Sequence, residues 1–125
     1  MKNRILTGIT TSGTPHLGNY FGAIRPSLEL ATDSKDSFFF LADYHSIITV
    51  NNPQEVTSSI ENIALAWLSS GLDTGSSYFY KQSDIREILE LSWILHCVTA
   101  KGLMNRAHAY KALKENNDDD KGINM

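Results

Sequence analysis

The segment Gly8 to Asn19 reads GITTSGTPHLGN, and it concentrates the residue types that hold a phosphate. Gly13 and Gly18 let a ligand come close to the backbone. Thr10, Thr11 and Ser12 bring hydroxyls. His16 and Asn19 bring side-chain donors where a helix begins near Leu17, and a helix start offers unpaired N–H groups and partial positive charge. The chemistry suggested is anion binding, above all of nucleotide phosphates. There is no Gly-Lys-Ser/Thr and no Gly-x-Gly-x-x-Gly, so the segment is neither a P-loop nor a dinucleotide fingerprint. On these residues alone two readings stand open: a nucleotide site, and an ordinary Gly/Thr/Pro turn with His16 as a helix-start residue.

A second polar group follows the apolar run Phe38 to Leu41. Asp43 suits a cap or hydrogen bond at a strand end. His45 serves as a structural histidine or as a functional one, because loops at strand ends are enriched in function. Gln82 and Ser83 come after a third apolar segment and divide between ligand contact and helix cap. Trp67 and Trp93 fall on helical stripes and are assigned to the core, His96 and His108 to helix surfaces or packing. Lys101, Arg106 and Lys111 form a small basic group, read as a solvated face.

Positioning these groups calls for strands and helices in alternation. Arg4 to Gly8 reads as a strand, and Ile9 to Pro15 as a loop. From Leu17 the apolar residues Leu17, Phe21, Ile24 and Leu28 recur at helical steps. Pro26 inside that pattern predicts a kink or a split. Ser37 to Ala42 reads as a strand whose continuous Phe38-Phe39-Phe40-Leu41 run suits burial on both faces of a parallel sheet. Asn52, Pro53 and Glu55 carry a helix-start signature. Val56, Ile60, Ile63, Ala64, Trp67 and Leu68 form that helix's stripe, and Gly71 ends it. Ser77 to Lys81 reads as a third strand. Further helices are expected through Ile85, Ile88, Leu89, Leu95 and Val98, and, past Gly102, through Leu103, Ala107, Tyr110 and Leu113. Asn116 to Gly122 reads as a polar insertion loop, and the apolar start after it suggests truncation. The order predicts an α/β fold with a parallel sheet, the first strand beside the second, and right-handed crossovers. The loop Thr10 to Pro15 then opens at the carboxyl ends of the strands, where ligands sit in open α/β sheets.

The composition agrees with a globular unit: 42% of the 125 residues are hydrophobic and 20% charged. A formal net charge of −3 does not suit a general polyanion binder. The single cysteine, Cys97, excludes an internal disulfide and fits a reducing compartment. The chain starts directly on a strand-like segment, with no apolar run long enough for a membrane span, so the cytoplasm and no membrane partner are expected.

Pro15-His16-Leu17-Gly18-Asn19 resembles the HIGH signature of class I aminoacyl-tRNA synthetases, with Leu17 for Ile and Asn19 for the final His. The stretch TGITTSGTPHLGNYFGAIRP, from Thr7 through Thr11 and the signature to Gly22-Ala23-Ile24-Arg25 and Pro26, looks like the tryptophanyl branch of that family. So do FFFLADYHSI, YKQSDI and SWILHCVTAKGLMNRAHAYK. The motifs occur in family order and span nearly the whole chain. The resemblance implies a Rossmann-like domain of the class I synthetase type, of which residues 1–125 are the N-terminal part, an incomplete half. It implies ATP-dependent activation of tryptophan and its ligation to tRNA(Trp). ATP would arrive with Mg2+ as a substrate complex and no protein-bound metal is needed. Carried over by position, Thr10, Thr11, Ser12, Gly18 and Asn19 would face ATP, and His16 would lie by the phosphates, so that His16 and Asn19 act in catalysis. Leu6, Gly8 and His45 would line the tryptophan pocket with Asp43 close by, although Leu6 also reads as plain core. A homodimer is implied, as the apolar stripe Leu91, Ile94, Leu95, Val98 also suggests. The family's lysine-rich KMSKS loop, its acidic tryptophan-binding residue and its anticodon-binding domain are not in these residues, so little catalysis is expected of them alone. A tyrosyl-type synthetase, a nucleotidylyltransferase and a non-catalytic ATP-binding module are the alternatives.

Overall fold

The computed structural model describes residues 4–32 and 36–104. Within the chain two compact units are distinguished, Met1–Arg86 and Glu87–Met125. The first holds a three-stranded sheet, β1 (Arg4–Thr10), β2 (Asp36–Ala42) and β3 (Ser77–Lys81), in that spatial order and parallel throughout. The expected neighbours are therefore paired as expected. β1 runs two residues further than its sequence signal, because Ile9 and Thr10 still pair with Leu41 and Ala42. At the other end the register is pinned by Arg4 and Asp36, which are partners across the strands and form an ion pair at 3.0 Å.

The first helical stretch is divided, as Pro26 predicts, with Pro26 in the first turn of its last segment. α1 (Leu17–Asn19) passes into a π-turn (Tyr20–Ile24) and then α2 (Arg25–Ala31). Pro26 lacks an N–H, and in an α-helix its ring would press on the carbonyl of Gly22. The wider turn, in which the Arg25 N–H reaches the Tyr20 carbonyl, gives that ring room. Only the second half of the stripe enters the core: Ile24 is buried and Leu28 and Ala31 pack on the core, whereas Leu17 and Phe21 are exposed.

α4 (Pro53–Ser69) forms where its sequence signals lie. The Asn52 side chain accepts from the Gln54 and Glu55 N–H groups at 3.0 and 3.4 Å. At the far end Gly71 takes φ 97°, and the N–H groups of Leu72 and Gly71 return to the carbonyls of Trp67 and Leu68 at 3.2 and 3.1 Å. That is a Schellman closure, which demands the left-handed residue glycine supplies. It also drops Leu72 into the core.

The core lies on one face of the sheet: Ile9, Phe39 and Leu41 from the strands meet Ile24, Ile63, Trp67 and Leu72. Phe39 and Trp67 are fully buried, with ring centroids 5.1 Å apart. Among the described residues the Trp67 indole N–H finds no hydrogen-bond partner. The other face departs from the expectation for Phe38 to Leu41. β2 alternates instead of being closed on both sides: Phe39 and Leu41 are buried, Phe38 and Phe40 only half-buried. The reason is that the apolar stripes of both α2 and α4 join the Phe39 side.

In the second unit, α5 (Glu87–Val98) and α6 (Lys101–Met104) are described. The rest of the helix expected through Leu113, with Arg106, His108 and Lys111, and the loop Asn116 to Gly122, lie outside the described residues. No described helix is long and apolar enough to cross a membrane.

Candidate functional site

The carboxyl ends of the strands lead into three short segments: Thr11 to His16, α3 (Asp43–Ser46), and a 3-10 turn (Gln82–Asp84). Hydrogen bonds knit them together with α3 in the middle. Thr11 and Ser46 are fully buried and their hydroxyls are bonded to each other. Ser46 gives its one hydroxyl hydrogen to the Ala42 carbonyl at 3.3 Å, so Thr11 donates to Ser46. Asp43, also buried, takes the N–H groups of Tyr44 and Ser83 on one carboxylate oxygen at 3.1 and 3.0 Å. His45 is exposed, with Nδ1 3.0 Å from Gln82 Oε1.

Strand alternation decides which hydroxyls of the first segment a ligand can use. Thr10 and Ser12 are exposed, whereas Thr11, expected to face a nucleotide, is turned inward and anchors the loop. Gly13 adopts φ 75°, a conformation that disfavours any side chain. Pro15 is half-buried just ahead of the helix start.

His16 and Asn19 form a capping box around α1. His16 Nδ1 accepts from the Gly18 N–H, and the His16 N–H donates to Asn19 Oδ1, both at 3.0 Å. The Asn19 and Tyr20 N–H groups return to the His16 carbonyl at 2.9 and 3.2 Å. The helix start thus satisfies the Gly18, Asn19 and Tyr20 N–H groups internally, and the Gly18 N–H expected to be free for an anion is taken. A ring nitrogen that accepts carries no proton, so the neutral His16 ring holds its hydrogen on Nε2. That Nε2–H and the Asn19 amide N–H groups are the donors the motif keeps for a ligand. The same geometry explains Gly18: a Cβ there would stand 2.8 Å from His16 Cε1 and 2.9 Å from Nδ1. The imidazole itself excludes a side chain. On its helix side the motif borders an open groove of about 500 Å3, with Pro15, His16, Leu17 and Tyr20 on one wall and Ala66 and Ser69 on the other.

Leu6 and Gly8 lie on the less covered face of the sheet, in register with Phe38 and Phe40. Leu6 is 68% exposed, so it is no core residue; its side of β1 is opposite the one α2 and α4 cover. Gly8 is required by Phe40, whose ring carbons would lie 2.5–2.7 Å from a Cβ at position 8. The face continues as a ladder: Phe38 stacks on Tyr78 at 4.7 Å and Phe40 on Tyr80 at 6.0 Å. Burial pushes the Tyr80 phenol above its usual pKa. The structure joins Asp43 and His45 through Ser83 and Gln82, and His16, Gly18 and Asn19 through the cap. Ser46 is not marked in the sequence, since a hydroxyl in a four-residue helix leaves no periodic trace. The aromatic ladder is marked in the sequence only by the shared parity of Phe38, Phe40, Tyr78 and Tyr80. Among the described residues, no three of His, Cys, Asp and Glu are grouped to hold a metal ion.

A parallel sheet with helices and a polar cluster at its carboxyl edge defines the class: a Rossmann-like α/β unit of the kind found in class I synthetases. Residues 1–125 match the family model of tRNA synthetases class I (W and Y), and the chain belongs to that family. It is 53% identical to the tryptophan–tRNA ligase of Neisseria meningitidis, over 99% of this chain and 39% of the relative. It is 56% identical to that of Pseudomonas syringae pv. tomato, over the full chain and 29% of the relative. The chain thus spans about a third of the length of these relatives. Among solved structures, tryptophanyl-tRNA synthetase from Campylobacter jejuni superposes with a TM-score of 0.84 at 38% identity, over 94% of this chain and 36% of that one. The same enzyme complexed with ADP and tryptophan gives 0.82 at 38% identity, over 92% and 36%.

Proposed function

We propose that this chain supplies the nucleotide-binding edge and part of the amino-acid pocket of a tryptophan–tRNA ligase. The observation that carries this reading is whole-chain identity of 53–56% to such ligases, with the His16–Asn19 motif at the carboxyl end of β1. The complex of the Campylobacter jejuni enzyme with ADP and tryptophan supports it, as does the match to a family of just two specificities. The reaction is adenylation. A carboxylate oxygen of tryptophan attacks the α-phosphorus of ATP, the bond to the bridging oxygen breaks, and pyrophosphate leaves. The tryptophanyl group then passes from the adenylate to the 3′ end of tRNA(Trp).

No protein nucleophile is needed; the work is orientation and balance of charge. His16 Nε2–H and the Asn19 amide donate to phosphate oxygens, and Thr10 and Ser12 offer hydroxyls beside them. Thr11 and Gly18 act indirectly, one anchoring the loop and the other leaving space for the His16 ring. Leu6, Gly8 and His45 form one side of the tryptophan pocket, with Asp43 beneath. Magnesium comes with the nucleotide, as part of the substrate. The whole enzyme works as a homodimer in the cytoplasm.

Residues 1–125 hold no KMSKS-like lysine loop. Losing even one preorganised transition-state donor costs roughly 10²–10³ in rate. The chain is therefore expected to bind ATP weakly and to support no competent tryptophan-dependent pyrophosphate exchange by itself. Exchange at the rate of a whole synthetase would overturn this assignment of roles. A failure of His16→Ala to weaken ATP binding in a titration would overturn the nucleotide site.

A further inference from the structure

We infer that Asp43 is a positioning residue, which acts through Ser83 and Gln82 to hold His45 in a single tautomer. The chain of contacts is short. Asp43 Oδ1 holds the Ser83 N–H at 3.0 Å and the Tyr44 N–H at 3.1 Å, so one buried carboxylate oxygen joins the end of β2 to the end of β3. Ser83 is the residue after Gln82, and fixing its N–H fixes the peptide that carries the Gln82 side chain. Gln82 Oε1 lies 3.0 Å from His45 Nδ1. An amide oxygen only accepts, so the hydrogen of this bond belongs to Nδ1. The neutral His45 ring then has its lone pair on Nε2.

Both His45 and His16 are thereby given opposite tautomers by local partners. His16 accepts at Nδ1 and donates at Nε2; His45 donates at Nδ1 and accepts at Nε2. Donors suit phosphate. An acceptor suits an N–H of the amino acid, its ammonium or its indole, and repels its carboxylate. This assignment of the ligand group rests on the tryptophan reading given above. The tautomer itself does not.

The experiment is 15N–1H long-range correlation NMR of the histidine rings in the 125-residue chain, with His45 assigned by loss of its signal in His45→Gln. The wild type should show His45 as the Nδ1–H form and His16 as the Nε2–H form. Gln82→Met keeps the length of the side chain and removes the acceptor at a half-exposed position, so the fold should survive. There His45 should revert toward the Nε2–H form that free neutral histidine prefers. Asp43→Ala should do the same from a distance, and Asp43→Asn, whose oxygen can still accept the Ser83 N–H, should restore the wild-type spectrum. Spectra in which His45 is Nε2–H in the wild type, or Nδ1–H in both Gln82→Met and Asp43→Ala, overturn the network. L-tryptophan is then added. If His45 is Nδ1–H but its Nε2 signal does not move at tryptophan concentrations that shift other residues, the ligand assignment fails while the positioning network stands.

Discussion

On one side of the sheet Ile9, Phe39 and Leu41 are sealed under Ile24, Ile63 and Trp67; on the other, Leu6, Phe38, Phe40, Tyr78 and Tyr80 keep part or most of their surface open. The two sides are made by alternate residues of the same strands, and both carry large apolar or aromatic side chains. What separates them is where the connecting helices lie, since the stripes of α2 and α4 both join the Phe39 side. Hydrophobicity therefore says which residues can be buried, and the connections say which are. The closed side is a packing core in the ordinary sense. The open side includes Leu6 and Gly8, two of the residues proposed for the amino-acid pocket, and both are exposed.

The comparison is tested first on β2 itself. Phe39→Ala should lower stability by about 3–5 kcal/mol, the usual cost of removing a fully buried aromatic ring. Phe38→Ala, one residue away, should cost less than about 1.5 kcal/mol, since Phe38 is only half-buried, between Leu6 and the stacked Tyr78. Urea unfolding on a Trp93→Phe background, with Trp67 as the probe, measures both; equal losses would erase the distinction.

Next comes the contact between the edge strand and the ladder. Gly8→Ala should cost about 1–3 kcal/mol, because the new methyl meets the Phe40 ring. The double change with Phe40→Ala should be less destabilised than the sum of its parts, read from a double-mutant cycle. At the motif, Gly18→Ala should cost about 0.5–2 kcal/mol by displacing the capping imidazole. The same substitution should also weaken ATP binding, measured by titration; weakened stability with unchanged binding would separate the cap from the site.

The smallest effect belongs to the loop between α4 and β3. The Ser76 hydroxyl and then the Gly75 N–H hold the Asp73 carboxyl below its ordinary value of 3.8. Its folded-state pKa is depressed, so the stability it adds is present above the unfolded value and is lost as pH falls through the folded one. Asp73→Asn should flatten that part of the acid limb, in chemical unfolding followed from about pH 5 down to about pH 2. Asp73 is fully exposed, and the change should be slight.

Local signals read well. β3 lies where its aromatic run ends in polar residues, and Asn52, Pro53 and Gly71 bracket α4 because each acts on its own backbone. The parallel order followed from alternation alone. What the sequence hid depends on partners far along the chain. Thr11 looks like its neighbours Thr10 and Ser12, and only Ser46, thirty-five positions away, turns it inward. Leu6 looks like core until the sheet shows which side its strand parity faces. Asp43 read correctly as a hydrogen-bonding residue at a strand end, but its partner Ser83, forty positions on, was not legible.

The π-turn has one more consequence. A π-turn advances the chain by one residue more than an α-turn, so it resets the angular phase of the helix between His16 and Ala31. The motif end and the core end need not share a heptad-like pattern: Leu17 and Phe21 answer to one phase, Ile24, Leu28 and Ala31 to another. Substitutions in the first half can then be accepted or rejected on the demands of the ligand edge, without being filtered by the packing of the second. The turn acts as a clutch between the selection on a site and the selection on a core.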